Sequence, residues 1–123
     1  FSWSVPWTRR RAKSSRRWHY GSSRRVFSVQ TAEKLQELLA GVVAEGTGRQ
    51  AAPSEGTAAG KTGTAQTGQF RDGEELKNYW FAGFYPAEKP RWTIVVMQDA
   101  QTEPEVSSAA IFARLCDALS AGE

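Results

Sequence analysis

An α+β architecture, with about three antiparallel strands flanked by an N-terminal and a C-terminal helix, follows from three patterns in the sequence. Leu35, Leu38, Leu39, Val42 and Val43 recur at i, i+3, i+4, i+7 and i+8, the spacing of one helical face. The runs 78–85 and 92–98 are rich in aromatic and β-branched residues, and the short stretch Pro86–Pro90 between them makes them antiparallel neighbours. Ile111, Phe112, Leu115, Cys116 and Leu119 form the apolar stripe of a last helix. With 123 residues the chain is at most one ordinary domain, or a piece of one.

Composition narrows the classes further. An apolar fraction of 40% supports a core, and no apolar run is long enough to cross a membrane. No apolar stretch follows the first arginines, so no signal peptide is expected. A single cysteine, Cys116, excludes an internal disulfide, no zinc spacing exists, and neither a metal nor a cofactor is expected. The formal charge of +3 hides a split: residues 1–32 hold seven arginines, one lysine and no acid, whereas residues 33–123 hold eight basic and thirteen acidic residues. The basic character therefore belongs to the first quarter of the chain.

In chain order, residues 1–25 form a basic Trp/Arg-rich arm without helical or alternating period, and residues 26–123 form the folded part. The arm reads either as a disordered or loosely packed tail, or as a binder of nucleic acid or an anionic envelope polymer through Trp3, Trp7, Trp18 and Tyr20 among its arginines. His19, the only histidine, has no partner residue for metal binding or catalysis. Residues 26–29 are expected as a short strand, and Thr31 as the N-cap of the first helix, with Glu33 in its first turn. Gly46 is the expected C-cap. A Gly/Ala/Pro/Ser loop, 46–56, leads to a strand over about 57–67.

Residues 67–77 are polar, with Gly68, Asp72 and Gly73 as turn formers. The aromatic residues of 78–85 are expected in the core rather than on a ligand-stacking platform. Apolar residues on both faces of 78–85 and 92–98 predict a sheet covered on both sides. After a polar loop, Ser107 or Ser108 caps the last helix, whose stripe buries Cys116 as an inert thiol.

The chemistry concentrates in Gly60-Lys61-Thr62-Gly63-Thr64-Ala65-Gln66. On a strand, Lys61 and Gly63 lie on one face and Thr62 and Thr64 on the other. Gly63 has no Cβ, so another molecule can lie against the backbone there. An ammonium, hydroxyls and backbone N–H groups suit a carboxylate or a developing oxyanion. Alone, the triplet also reads as a polar strand with a surface lysine. A nucleotide-binding P-loop is excluded, because the position that pattern needs as glycine is Glu55, and Gly56 lies one residue too close.

Ala59–Gln66, followed by Asn78-Tyr79-Trp80-Phe81-Ala82-Gly83-Phe84-Tyr85-Pro86, resembles the penicillin-binding proteins, class B more than class A. Residues 31–39 and the Val42-to-Gly48 run resemble the family at the expected distance, so the resemblance covers roughly 26–120. It implies the transpeptidase and serine β-lactamase-like fold: three strands and two helices of a five-stranded antiparallel sheet with helices on both faces. The helices absent from this stretch would leave apolar strand surface uncovered, and with it a tendency to self-associate. The loop matching 67–77 lies beside the active-site cleft in that family. The family's segment matching residues 1–25 does not look like this one, whose Arg-Ser-Trp-rich text is what a wrong reading frame of a GC-rich gene produces.

The family consists of serine acyl-transferases that cross-link peptidoglycan stem peptides and are acylated by β-lactams. By its pattern, Lys61 holds positive potential over the site and helps place the substrate carboxylate. The hydroxyls of Thr62 and Thr64 bind that carboxylate or support the proton network. Gly63 lets the substrate lie along the strand, and the backbone N–H of Thr64 is an oxyanion-hole donor. The family's Ser-x-x-Lys and Ser-x-Asn motifs do not occur: no lysine has a serine three residues before it, and Asn78, the only asparagine, follows Leu76 at two residues' distance. Without nucleophile and general base, the chain alone is expected to be inactive. The resemblance also implies an intact parent at the extracytoplasmic face of the cell membrane, held by an N-terminal anchor that this chain does not carry.

Overall fold

The computed structural model describes residues 24–122. Helix α1 spans Val29–Ala44 and is followed by a single 3-10 turn, Arg49–Ala51. Strands β1 (Ala59–Arg71), β2 (Glu74–Tyr85) and β3 (Trp92–Ala100) make an antiparallel sheet in the order β1-β2-β3, and helix α2 (Ser108–Ala121) closes the chain. The α+β class, the three antiparallel strands and the two flanking helices are those expected.

Several boundaries differ. Residues 26–28 form no strand, and Val29 opens α1 instead. Val26 and Phe27 are exposed and pair with no neighbouring strand, so nothing holds them extended. Ser28, not Thr31, is the N-cap: its side chain accepts the Thr31 N–H at 3.1 Å and donates to the Thr31 hydroxyl at 3.0 Å. Glu45 rather than Gly46 is the C-cap, although the Gly46 and Gly48 N–H groups both return to the Val42 carbonyl, at 3.1 and 3.0 Å.

The polar stretch 67–77 is not a loop. β1 and β2 continue through it as a two-stranded ribbon to a tight turn at Asp72 (φ 53°) and Gly73 (φ 83°). A bulge between Gln66 and Phe70 absorbs the extra residues of β1. Side chains hold the ribbon together there: the Thr67 hydroxyl donates to the Leu76 carbonyl at 2.6 Å, and the Glu75 carboxylate accepts the Gly68 N–H at 2.9 Å.

Strand alternation sorts the sheet into two faces. Phe81 and Tyr85 of β2 and Val96 of β3 are buried with Val43 of α1 and with Ala109, Phe112 and Cys116 of α2. The rings of Phe81 and Phe112 meet at 4.7 Å, tilted by 54°. Ser107 is the N-cap of α2, while Ser108 is buried and donates to the Tyr79 carbonyl at 2.7 Å. At the other end, Tyr85 donates its hydroxyl to the Glu55 carbonyl at 2.9 Å. Asp117 of α2 accepts both the N–H (2.7 Å) and the hydroxyl (3.0 Å) of Ser54, tying the segment before β1 to the helix. Burial, with Asp117 alongside, pushes the Cys116 thiol up to about 11.

The opposite face is open among the described residues. Trp80, Val95 and Met97 are 38%, 56% and 47% exposed. Apolar residues on both faces of β2 and β3 predict cover on both sides. Here one face is covered, and the other is the bare apolar surface that a partial fold predicts. Leu35 and Leu38, on the α1 stripe, are likewise exposed.

Candidate functional site

β1 begins as a tightly packed strand and ends as an open one. Ala58, Ala59 and Gly60 are buried, and a Cβ on Gly60 would come within 2.6 Å of the Ala82 carbonyl oxygen and the Phe81 ring. From Lys61 onward the strand turns towards solvent: Thr62 is half-buried, and Lys61, Gly63 and Thr64 are exposed. The glycine-lysine junction therefore fixes the backbone of the polar run against β2 while leaving its side chains accessible.

The register places Lys61 opposite Ala82 and Gly63 opposite Trp80, on the open face. Thr62 lies opposite Phe81 and Thr64 opposite Tyr79, on the face that carries the core. The alternation expected of the run is thus observed. β1 is also an edge strand, so no further strand pairs with it among the described residues. At that edge the Lys61 Nζ bends towards the other face, donating to the Thr62 carbonyl at 3.2 Å and reaching the Thr62 Oγ1 at 3.4 Å. An ammonium and a hydroxyl on opposite faces are thereby brought to the same edge.

A groove of about 390 Å³ adjoins this edge. Thr62, Gly63 and Thr64 line it from β1, Thr47, Arg49 and Gln50 from the α1–β1 connection, and Glu103 and Ser107 from the β3–α2 connection. Arg49 is held by the end of α1: Nε and Nη2 both donate to the carbonyl of the C-cap Glu45, at 3.2 and 2.9 Å. The Ser107 hydroxyl donates to the Gln50 side-chain oxygen and joins the two connections. Tyr79, which the sequence placed in the core, is half-buried and lines this groove. Arg49, Gln50 and Ser107 were not singled out as site residues. The only pointer to the first two was their place directly after the Gly46-Thr47-Gly48 run.

A second, larger cavity of about 620 Å³ lies between α1 and residues 52–58, and none of Lys61, Thr62, Gly63 and Thr64 borders it. Its walls are mostly small apolar residues, with Glu33, Glu37 and Glu88 among them. The Thr57 hydroxyl donates to Glu88 and holds that carboxyl below its ordinary range. Among the described residues no group of three or more His, Cys, Asp or Glu side chains is placed to hold a metal ion. None of the described helices is long and apolar enough to cross a membrane. His19 and residues 1–23 of the basic arm lie outside the described residues.

Residues 16–117 match the family model described as the penicillin binding protein transpeptidase domain. That match starts within the basic arm, ten residues before the boundary drawn at 26. Stage V sporulation protein D of Bacillus subtilis is 40% identical over 81 residues, covering 63% of this chain and 12% of that protein. Penicillin-binding protein PbpB of Mycolicibacterium smegmatis is 41% identical over 90 residues, covering 62% of this chain and 13% of that protein. Among solved structures, the transpeptidase domain of penicillin-binding protein 3 from Burkholderia pseudomallei superposes with a TM-score of 0.68 at 29% identity, over 83% of this chain and 33% of that one. The D,D-transpeptidase domain of a peptidoglycan glycosyltransferase from Eggerthella lenta gives 0.56 at 35% identity, over 76% and 21%. The chain thus spans about an eighth of the length of the curated relatives it matches.

Proposed function

The chain belongs to the penicillin-binding protein transpeptidase family, and on that premise we propose that Lys61–Thr64 form the strand-edge wall of a D,D-transpeptidase site. The substrate is a peptidoglycan stem peptide, and β-lactams enter the same site. The observation that carries this reading is the edge of β1, where the Lys61 ammonium lies 3.4 Å from the Thr62 hydroxyl beside a groove that Thr62, Gly63 and Thr64 line.

Each residue has a role that follows from its place. Lys61 supplies fixed positive potential at the edge, which favours a carboxylate and the oxyanion of acyl transfer. Thr62 and Thr64, two residues apart on one face, offer hydroxyls to the peptide's terminal carboxylate. Gly63 keeps the edge free of side-chain bulk, and the Thr64 N–H serves as an oxyanion donor. The acyl transfer itself needs a serine whose oxygen attacks the D-alanyl-D-alanine carbonyl, with release of the terminal D-alanine, and a base to take the serine proton. No Ser-x-x-Lys and no Ser-x-Asn occurs in these 123 residues. Their share of the chemistry is therefore binding and electrostatics, and the nucleophile belongs to the remainder of a longer transpeptidase working at the extracytoplasmic face of the membrane. The open sheet face of Trp80, Val95 and Met97 is the surface against which that remainder packs, and through which the chain associates with itself when alone.

The test replaces the matching segment of the Bacillus subtilis relative with residues 26–123 of this chain and measures covalent labelling by a fluorescent penicillin. The chimera is expected to label, to lose labelling at least about tenfold on Lys61→Ala, and the chain alone is expected not to label. Labelling that is indifferent to Lys61→Ala sinks the assignment of the edge, and a covalent band on the isolated chain sinks the claim that the nucleophile lies elsewhere.

A further inference from the structure

Among the described residues, the cation that lines the groove beside Thr62 and Thr64 is not Lys61 but Arg49. Lys61 projects from the open face of β1 and reaches the edge only by bending over Thr62. Arg49 comes from the α1–β1 connection and lines the groove together with the two threonines of the core face. We propose that Arg49 is a specificity-determining residue that holds the carboxylate of a ligand seated on Thr62 and Thr64, so that the anion is clamped from both faces of the strand edge. The proposal rests on the transpeptidase reading and adds to it a residue outside the Lys-Thr-Gly run.

The argument is one of pre-organisation. A surface arginine ordinarily spends side-chain entropy when it closes on an anion, and little attraction remains. Here Nε and Nη2 are already bound to the Glu45 carbonyl, which fixes the guanidinium plane before any ligand arrives. That bond uses two of the five guanidinium N–H donors and leaves the others for a carboxylate. The Glu45 carbonyl sits at the C-terminal end of α1, so Arg49 also faces the negative pole of that helix, which keeps it in place. Among the described residues, the carboxylate lining the groove is Glu103, which comes from the separate β3–α2 connection. With Arg49 on one connection and Glu103 on the other, the groove is polarised, and a peptide carboxylate enters in one sense. The Ser107–Gln50 hydrogen bond keeps the two connections together.

The experiment titrates the isotope-labelled full chain with N-acetyl-D-alanyl-D-alanine and, separately, with its C-terminal amide, following backbone and arginine side-chain resonances. The acid is expected to shift Thr62, Gly63, Thr64 and the Arg49 Nε–H together, and to bind more tightly than the amide by about fivefold. Arg49→Gln is expected to erase that preference, and Arg49→Lys, which keeps the charge but not the anchored plane, to restore only part of it. A dispersed spectrum for each variant establishes that it is folded, and a collapsed Arg49→Gln spectrum hands the decision to Arg49→Lys. If Arg49→Gln, or in that case Arg49→Lys, keeps the full preference for the acid while Thr64→Val weakens binding, Arg49 is excluded and the transpeptidase reading stands. If the acid shifts neither Arg49 nor the threonines, both fall.

Discussion

Gly83 has no room for a side chain. A Cβ there would overlap the Ala59 carbonyl and stand 3.0 Å from the Phe112 ring, so β1, β2 and α2 meet at that one position. Its cross-strand partner is Gly60, which is equally closed. The pair lets β1 and β2 close on each other and on the Phe112 ring just before the polar run, and Lys61 is the next residue along. Gly83→Ala is therefore expected to destabilise the chain by at least about 2 kcal/mol, because backbone and a core ring rather than a flexible side-chain end must yield. Urea unfolding measures it, and a loss under about 0.5 kcal/mol would contradict the packing described. A glycine inside a strand-like run signals close approach. Which element approaches is not written in the local sequence.

The elements were legible in proportion to how much they bury. α2 was legible from its stripe, and its cap was narrowed to two serines, because the first turn leaves N–H groups that a hydroxyl satisfies. Ser107 takes that role, accepting the Ala110 N–H at 3.1 Å. Ser107→Ala is expected to cost about 1 kcal/mol by denaturant titration, and more than Ser→Ala at an exposed helix interior position, since its bond to Gln50 is lost as well. The β1–β2 ribbon was the element read least well. Its far half has no buried face, so it lacks the alternation that marks a half-buried strand, and its polar residues looked like a loop. What makes it a ribbon is cross-strand pairing, together with the anchoring of Arg71 and Glu74 carbonyls by the Gln101 side chain. The early helix cap was missed for a similar reason: Ser28 and Thr31 are both capping residues, and only the backbone conformation of Ser28, with φ of −68° and ψ of 161°, separates them.

At the scale of the molecule, the sheet is covered on one face and bare on the other among the described residues, with Val95 and Met97 about half exposed in the middle of β3. Apolar surface of this kind on a chain that spans an eighth of its relatives' length is expected to associate. Sedimentation of the isolated chain over a concentration series is expected to show growth in mass, and Val95→Ser with Met97→Ser to suppress it. A monomer at all concentrations, or an assembly unaffected by the pair, would mean that this face does not drive association.

Some features of this protein are written locally, and those the sequence determined by itself. Helix stripes, β-branched strands, the antiparallel turn at 86–90 and the ordered match to the transpeptidase family all depend on residues near one another in the chain, where period and spacing carry the physics. The absence of a serine nucleophile motif is likewise a property of the text alone. Tertiary structure decided what depends on residues distant in the chain. It set the register that puts Thr62 and Thr64 on the core face and Lys61 on the other. It brought Arg49 and Ser107 to the same groove as Thr64, across separations of 15 and 43 residues. It left one sheet face bare. Each of these outcomes is fixed by which surfaces can pack on which, and the packing partner of a residue leaves no periodic mark on the residue's own neighbours.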